Sequence, residues 1–146
     1  MSRIFALIPL LVLCSACTSG IRSATLTEQS TGATIQIDLE PTHPYLAEYS
    51  RTLIFKKSGF PDSRHQLSKD TGGYAAANLY KCADNLIMLD SYSEFVLVDT
   101  STGKISPGNC PASSTYVGVF DGGGSKPWAF FPASQRSEKA LVMRGG

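Results

Sequence analysis

The chain has 146 residues, of which 42% are hydrophobic and 17% charged, and its 13 Lys and Arg nearly balance 12 Asp and Glu. This length fits one domain with its own core, and the ordinary apolar content argues against intrinsic disorder. The formal net charge of +1 argues against a surface that binds nucleic acid by releasing counterions from phosphates.

The first part of the chain has the pattern of an export signal. Arg3 precedes an unbroken apolar run at 4–13, which is too short to span a bilayer core as a helix. Two small residues then stand between Cys14 and Cys17. This segment resembles a bacterial lipoprotein signal, in which a lipobox of Leu, two small residues and Cys is lipidated on the cysteine; Cys14 stands where that family usually has Leu. The resemblance implies that Cys17 is the lipidated first residue of the mature chain.

The same resemblance implies a location. Cleavage before Cys17 removes residues 1–16 as a signal peptide. Thr18 stands where an Asp would indicate retention in the inner membrane, which implies the outer membrane with the domain facing the periplasm. Two other interpretations stay open, namely ordinary secretory cleavage near Ala16 and retention of the apolar run as a membrane anchor.

Residues 17–32 are predicted to be the lipidated N-terminus and a flexible tether. Ser, Thr and Gly make up nine of the fifteen residues at 18–32, and the isolated apolar residues follow no period. The alternative is that part of this stretch adds an edge strand. A single domain is predicted for 33–146.

That domain is predicted to be all-β. Strict alternation of apolar and polar residues predicts a strand at 33–40, and helix competes with strand only at 74–82, where strand is preferred for the second half. Further strands are predicted at 45–57, as one strand or a bent pair, and at 86–89, 95–98, 104–106, 115–120, 128–131 and 139–143, with 64–69 as an optional short strand. We count eight or nine strands and expect two small antiparallel sheets, either a β-sandwich or a pair of propeller-like blades.

Residues 85–106 predict a three-stranded meander. Two apolar runs are each closed by an aspartate, Asp90 and Asp99, which we expect to cap turns, with calcium binding as the alternative. The stretch V-D-x-x-T-G-K-I resembles one blade of a β-propeller. The chain shows no repeat with a 40-residue period, which excludes a closed propeller.

Two cysteines lie beyond the signal, in a chain expected in an oxidising compartment. We predict one internal disulfide between Cys82 and Cys110, which closes a loop of 29 residues. Zinc is the alternative, but His43 and His65 lack the spacing of zinc ligands, so no metal site and no cofactor are predicted.

The ionisable residues form no recognisable catalytic set. The chain has no G-x-S-x-G elbow, and His43 and His65 have the surroundings of surface residues. Asp38 and Glu40 share one face of a strand, and we expect both to be solvated rather than to act as an acid and base pair. No enzymatic activity is predicted.

A glycine-rich loop is the predicted partner-binding element. It lacks the register of a phosphate-binding loop and ends near the single tryptophan of the chain. Aromatic residues on loops are common at binding hot spots. The predicted contact residues are Gly122, Gly123, Gly124, Ser125, Lys126 and Trp128. A core position is the alternative for Trp128, and Tyr92 and Tyr116 are secondary candidates.

The function expected from these features is a lipid-anchored, non-enzymatic module that binds a periplasmic protein. In layout the chain is similar to periplasmic immunity proteins that neutralise cell-wall-cutting toxins of type VI secretion, which implies an inhibitor. The alternatives are a structural or assembly lipoprotein of an outer-membrane complex, and a hydrolase of peptidoglycan or glycans. The predicted partners are the membrane, through the lipid on Cys17, and a protein, but no nucleic acid.

Overall fold

The structure is a computed structural model that describes residues 20–72, 75–83, 85–92, 94–123 and 126–141. These residues form ten β-strands in two antiparallel sheets and no helix. The described ranges thus contain no helical segment that could span a bilayer. The predicted all-β class with two antiparallel sheets is confirmed. The predicted signal peptide and Cys17 lie outside the described residues.

The two sheets differ in size. Sheet 1 has the order β1-β2-β3-β4 and sheet 2 the order β10-β9-β5-β6-β7-β8. The strands of sheet 1 are β1 (Arg22–Thr27), β2 (Thr34–Pro41), β3 (Tyr49–Lys56) and β4 (Ser63–Asp70). The strands of sheet 2 are β5 (Ala77–Ala83), β6 (Leu86–Ser91), β7 (Glu94–Asp99), β8 (Ile105–Pro107), β9 (Thr115–Gly123) and β10 (Lys126–Pro132). The predicted meander corresponds to β6, β7 and β8, and the strand preference for the end of 74–82 is confirmed by β5.

The sheets share one core, which makes the fold a sandwich. In β2 the alternating residues Ile35, Ile37 and Leu39 are buried. They belong to the same cluster as Leu79 of β5 and Leu89 of β6 in the facing sheet. Each such side chain contributes about 1.5–3 kcal/mol of hydrophobic stabilisation when fully buried. The alternation of apolar and polar residues therefore predicts correctly which face of β2 packs against the core.

The tether prediction is wrong for Arg22–Thr27, which form β1 and confirm the edge-strand alternative. This strand pairs with β2 from Arg22 opposite Leu39 to Thr27 opposite Thr34. Ala24 is buried and Leu26 is half-buried against the core. The Ser and Thr residues of β1 resemble a linker in composition, but Ala24 and Leu26 between them pack against the core.

The prediction of a last strand at 139–143 is wrong for its described part, because 139–141 have no strand conformation. Residues 142 and 143 lie outside the described ranges. We call residues 133–141 the C-terminal segment. Hydrogen bonds from β5 and β9 hold it on the outer face of sheet 2.

The predicted disulfide between Cys82 and Cys110 is confirmed, with the two Cα atoms 5.3 Å apart. It joins the end of β5 to the connection between β8 and β9. The bond therefore closes the chain around the β6–β8 meander.

Candidate functional site

The predicted glycine loop is the tip of the β9–β10 hairpin. Gly122 and Gly123 end β9 and the exposed Lys126 begins β10, whereas Gly124 and Ser125 lie outside the described residues. Gly122 has a φ of 124°, and a Cβ there would collide with the Pro127 carbonyl. Glycine is required here for the close approach of two strands. Contact of this loop with a partner stays a prediction.

Trp128 does not belong with the predicted partner-binding residues, because it is a core residue with 7% exposure. Its indole N–H donates a hydrogen bond of 2.9 Å to the Ile37 carbonyl of the opposite sheet. Its ring lies 6.4 Å from that of Phe120, measured between centroids. The prediction that Trp128 contacts a partner is wrong, and the core alternative is confirmed. Residues alternate in β10 so that this side chain points inward.

The described residues instead bring a polar cluster together beneath the C-terminal segment. Asn78 of β5 is 1% exposed and makes two hydrogen bonds to the backbone of Lys139. Its Nδ2 donates to the Lys139 carbonyl at 2.9 Å, and the Lys139 N–H donates to Oδ1 at 3.0 Å. The Tyr80 hydroxyl donates to the Glu138 carboxylate, and the Tyr116 hydroxyl donates to the Arg136 carbonyl at 3.2 Å. Side chains of sheet 2 thus anchor this irregular segment.

Asp121 of β9 is the charged centre of the cluster. Its two carboxylate oxygens accept from Arg136 and Lys139, each at 2.6 Å, and Oδ1 also accepts the Gly122 N–H at 2.8 Å. Burial raises the pKa of Asp121, but the hydrogen bonds from Lys139 and Gly122 and the charges of Lys139 and Arg136 outweigh burial. As a result, the pKa of Asp121 lies below its ordinary value.

Two tyrosines border this charged centre. The rings of Tyr80 and Tyr116 lie 5.7 Å apart. Burial and the hydrogen bond to Glu138 raise the pKa of Tyr80 well above its usual range, and burial raises the pKa of Tyr116. Both phenols therefore stay protonated at neutral pH and act as hydrogen-bond donors. Tyr116, a secondary candidate from the sequence, lies in the site, whereas Tyr92 lies half-buried in the β6–β7 turn.

An open groove of about 560 Å³ lies along the C-terminal segment. Its lining comprises Val119, Asp121 and residues 135–140. The Arg136 guanidinium stacks on the Phe131 ring at 3.5 Å from the centroid. We call this surface the C-terminal groove. Sequence reasoning missed it; the one available signal was Asn78, a polar residue within the apolar stretch that becomes β5.

A second polar cluster lies between the sheets around Arg51, which is fully buried. Its Nε donates to the Ser68 carbonyl at 2.8 Å, and Nη1 donates to Ser91 Oγ at 2.7 Å. Nη2 lies 4.0 Å from the Glu94 carboxylate. Burial lowers the pKa of Arg51, and the charges of Glu94 and Asp70 partly offset this effect. The cluster joins β3 and β4 of sheet 1 to β6 and β7 of sheet 2.

Both histidines are engaged in contacts within the fold. His43 Nδ1 accepts the backbone N–H groups of Tyr45 and Leu46, each at 3.1 Å. His65 Nε2 lies 3.8 Å from Glu94, and its side chain is 27% exposed. His65 is thus half-buried rather than fully at the surface.

The predicted turn role of Asp99 is confirmed. Its Oδ1 accepts from the backbone N–H groups of Ser101 and Thr102 and from the Ser101 hydroxyl. The hydrogen bonds from the Ser101 hydroxyl and N–H are the main reason that the pKa of Asp99 lies below its ordinary value. Among the described residues, no three His, Cys, Asp or Glu side chains are placed to hold a metal ion.

No protein-family model, curated protein or solved structure matches this chain. The lining of the groove includes one arginine, one lysine and two carboxylates, a set that suits recognition of a polar surface.

Proposed function

We propose that this protein is a lipid-anchored component of the bacterial cell envelope that binds another protein without catalysing a reaction. The anchor is the lipid on Cys17, inferred from the signal that precedes it. The binding surface is the C-terminal groove, whose lining includes Arg136 and Lys139, with Tyr116 bonded to the Arg136 carbonyl beside it.

The observation that carries this proposal is the fixed position of Arg136. Asp121 pairs with its guanidinium at 2.6 Å and Phe131 stacks beneath it, yet the side chain keeps 41% exposure. Arg and Tyr are enriched at binding hot spots, and a side chain that is ordered before binding loses less entropy on complex formation. Arg136 and Tyr116 fit this description.

The charges of the groove favour a protein partner over a simple anion. Asp121 and Glu138 stand beside Arg136 and Lys139, so the surface carries both signs. A partner with an acidic and a basic group at matching spacing would gain specificity from this arrangement.

The positions of the histidines support a role without catalysis. A histidine that acts as a general base must reach a substrate with an available ring nitrogen. His43 Nδ1 is used by two backbone N–H groups, and neither histidine is part of the groove lining.

The proposal is tested by measuring the affinity of one identified partner for matched variants. The lipidated protein is used to capture partners from envelope extract and secreted proteins, and the partner is then purified. We expect Arg136→Ala to weaken its binding at least tenfold. The control is Arg64→Ala, which removes an exposed arginine of β4 and should leave the affinity unchanged.

The identity of the partner separates the two candidate roles. Loss of the partner's enzymatic activity on binding would indicate an inhibitor or immunity protein, whereas a stable outer-membrane complex would indicate an assembly lipoprotein. A partner that binds the Arg136 and Arg64 variants equally well would overturn the groove as the binding surface. Turnover of a cell-wall substrate would overturn the non-enzymatic role.

A further inference from the structure

The described chain starts at one end of the sandwich. Gly20 lies against Pro41, whose Cγ would be 3.4 Å from a Cβ at position 20. Arg22 pairs with Leu39 at the start of β1, so the chain enters sheet 1 beside the β2–β3 loop at 42–48. Only two residues separate Gly20 from Cys17, and an extended chain spans at most about 3.5 Å per residue. A lipid on Cys17 would thus hold this end within about 10 Å of the attachment point.

Exposed apolar side chains are concentrated at this end. Among the described residues, four large apolar side chains are exposed, and three of them lie here. They are Ile21 with 47% exposure, Tyr45 with 90% and Leu46 with 55%. We call these three residues the apolar tip. The fourth, Phe60 with 41%, lies in the β3–β4 turn at the opposite end of sheet 1.

The loop that carries the tip has a fixed shape. His43 Nδ1 accepts the N–H groups of both Tyr45 and Leu46, and the rings of His43 and Tyr45 meet edge to face at 6.0 Å. The Thr42 N–H donates to the Glu48 carbonyl across the base of the loop. The loop therefore presents Tyr45 and Leu46 outward without further folding.

We propose that the apolar tip inserts into the surface of the phospholipid bilayer that carries the Cys17 lipid, and so orients the sandwich end-on. This inference rests on the proposed lipid anchor. Tyrosine favours the headgroup region of a bilayer, and leucine and isoleucine favour its acyl boundary. The half-buried Arg22, whose guanidinium lies over the Tyr49 ring, adds a positive charge next to Ile21 that suits anionic headgroups. The short distance from Gly20 to Cys17 makes the bilayer the surface that faces the tip.

The test compares two tryptophan variants of the lipidated full chain in phospholipid vesicles. Tyr45→Trp places a fluorophore in the tip, and Phe60→Trp places one about 23 Å away along the eight-residue β3. Lipids with brominated acyl chains quench nearby tryptophan. The buried Trp128 is common to both variants, and its emission is subtracted with the parent protein. Both changes replace exposed aromatics, and Leu46→Trp serves as a second probe of the tip.

We expect brominated vesicles to quench at least half of the emission added by Tyr45→Trp or Leu46→Trp, and almost none of that added by Phe60→Trp. The lipidated protein is first shown to float with the vesicles, which establishes the anchor. Equal quenching of the probes at both ends, or no quenching of the tip probes, would then overturn the end-on orientation and leave the anchor intact. A protein without lipid mass on Cys17 that does not float would overturn the anchor and the orientation together. Tip emission that changes only when a protein partner is added would also overturn the proposal.

Discussion

The Asn78 side chain and the Lys139 backbone exchange two hydrogen bonds, at 2.9 and 3.0 Å, across 61 positions of sequence. The side-chain amide of Asn78 thereby pairs with both backbone groups of Lys139, as the backbone of a neighbouring strand does in a sheet. Because Asn78 is 1% exposed, neither bond can be replaced readily by water. This pair fixes the C-terminal segment on sheet 2, and the groove depends on it.

Replacing Asn78 should therefore free the C-terminal segment. In Asn78→Asp the Nδ2 donor is lost and a carboxylate faces the Lys139 carbonyl. We expect a loss of about 1–3 kcal/mol of unfolding free energy, the usual cost of an unpaired buried polar group. Urea denaturation measures this loss. Trypsin should also cleave after Arg136 and Lys139 faster in the folded variant than in the parent.

Asn109→Asp is the matched control, because Asn109 is exposed in the loop before Cys110. The same chemical change there should alter stability by less than about 0.5 kcal/mol. Equal cleavage rates in the Asn78 and Asn109 variants would contradict the role given to Asn78.

The attachment of the segment should also depend on pH through Asp121. Its pKa is lower in the folded protein than in the unfolded chain, where an Asp titrates near 3.9. The stabilisation is therefore complete above about pH 3.9 and is lost as the pH falls through the lower folded value. An NMR titration from pH 6 to 2 should show the Lys139 amide losing its hydrogen-bonded shift in this range.

Asp121→Asn provides the comparison for this titration. It cannot ionise, so the pH-dependent change at Lys139 should be smaller and the segment should already be less ordered at pH 6. The same titration curve in both proteins would show that another group controls the segment.

Arg51 should be essential for stability. Arg51→Leu leaves the Ser91 hydroxyl and the Ser68 carbonyl without the donors that Arg51 supplies inside the sandwich, and it removes one charged neighbour of Glu94, which keeps His65. Each buried polar group left unpaired costs about 1–3 kcal/mol. Thermal or urea unfolding should show a loss of this size, whereas Arg64→Leu on the exposed face of β4 should change stability by less than about 0.5 kcal/mol. Similar losses in both variants would contradict this role.

The sequence patterns that predicted correctly are local ones. The alternation of Ile35, Ile37 and Leu39 predicted β2, and the two apolar runs closed by aspartates predicted the meander. β1 was predicted only as an alternative to a tether, because its Ser and Thr residues resemble a linker and only pairing with β2 decides that Ala24 is buried. The groove was missed for a stronger reason. Asn78 and Lys139 meet through the sheet topology, and no spacing rule connects them.

The disulfide should stabilise the fold through the unfolded state. Crosslinking positions 28 apart removes loop-closure entropy that the chain-entropy model values at about 3–4 kcal/mol. The double variant Cys82→Ser, Cys110→Ser should lose a comparable part of its unfolding free energy in urea. The parent protein under reducing conditions should lose a similar amount. Stability equal to that of the oxidised parent would contradict this role.

Trp128 should affect stability and leave partner binding unchanged. Trp128→Phe keeps an aromatic ring beside Phe120 but removes the donor to the Ile37 carbonyl, and we expect a loss of about 1–3 kcal/mol. Partner affinity, measured at conditions where the variant is fully folded, should equal that of the parent. Lys126→Ala, two residues away and exposed, tests the loop surface with almost no cost in stability. Weaker partner binding by Trp128→Phe with unchanged stability would show that Trp128 contacts the partner. Weaker binding in Lys126→Ala alone would extend the binding surface from the C-terminal groove to the hairpin tip.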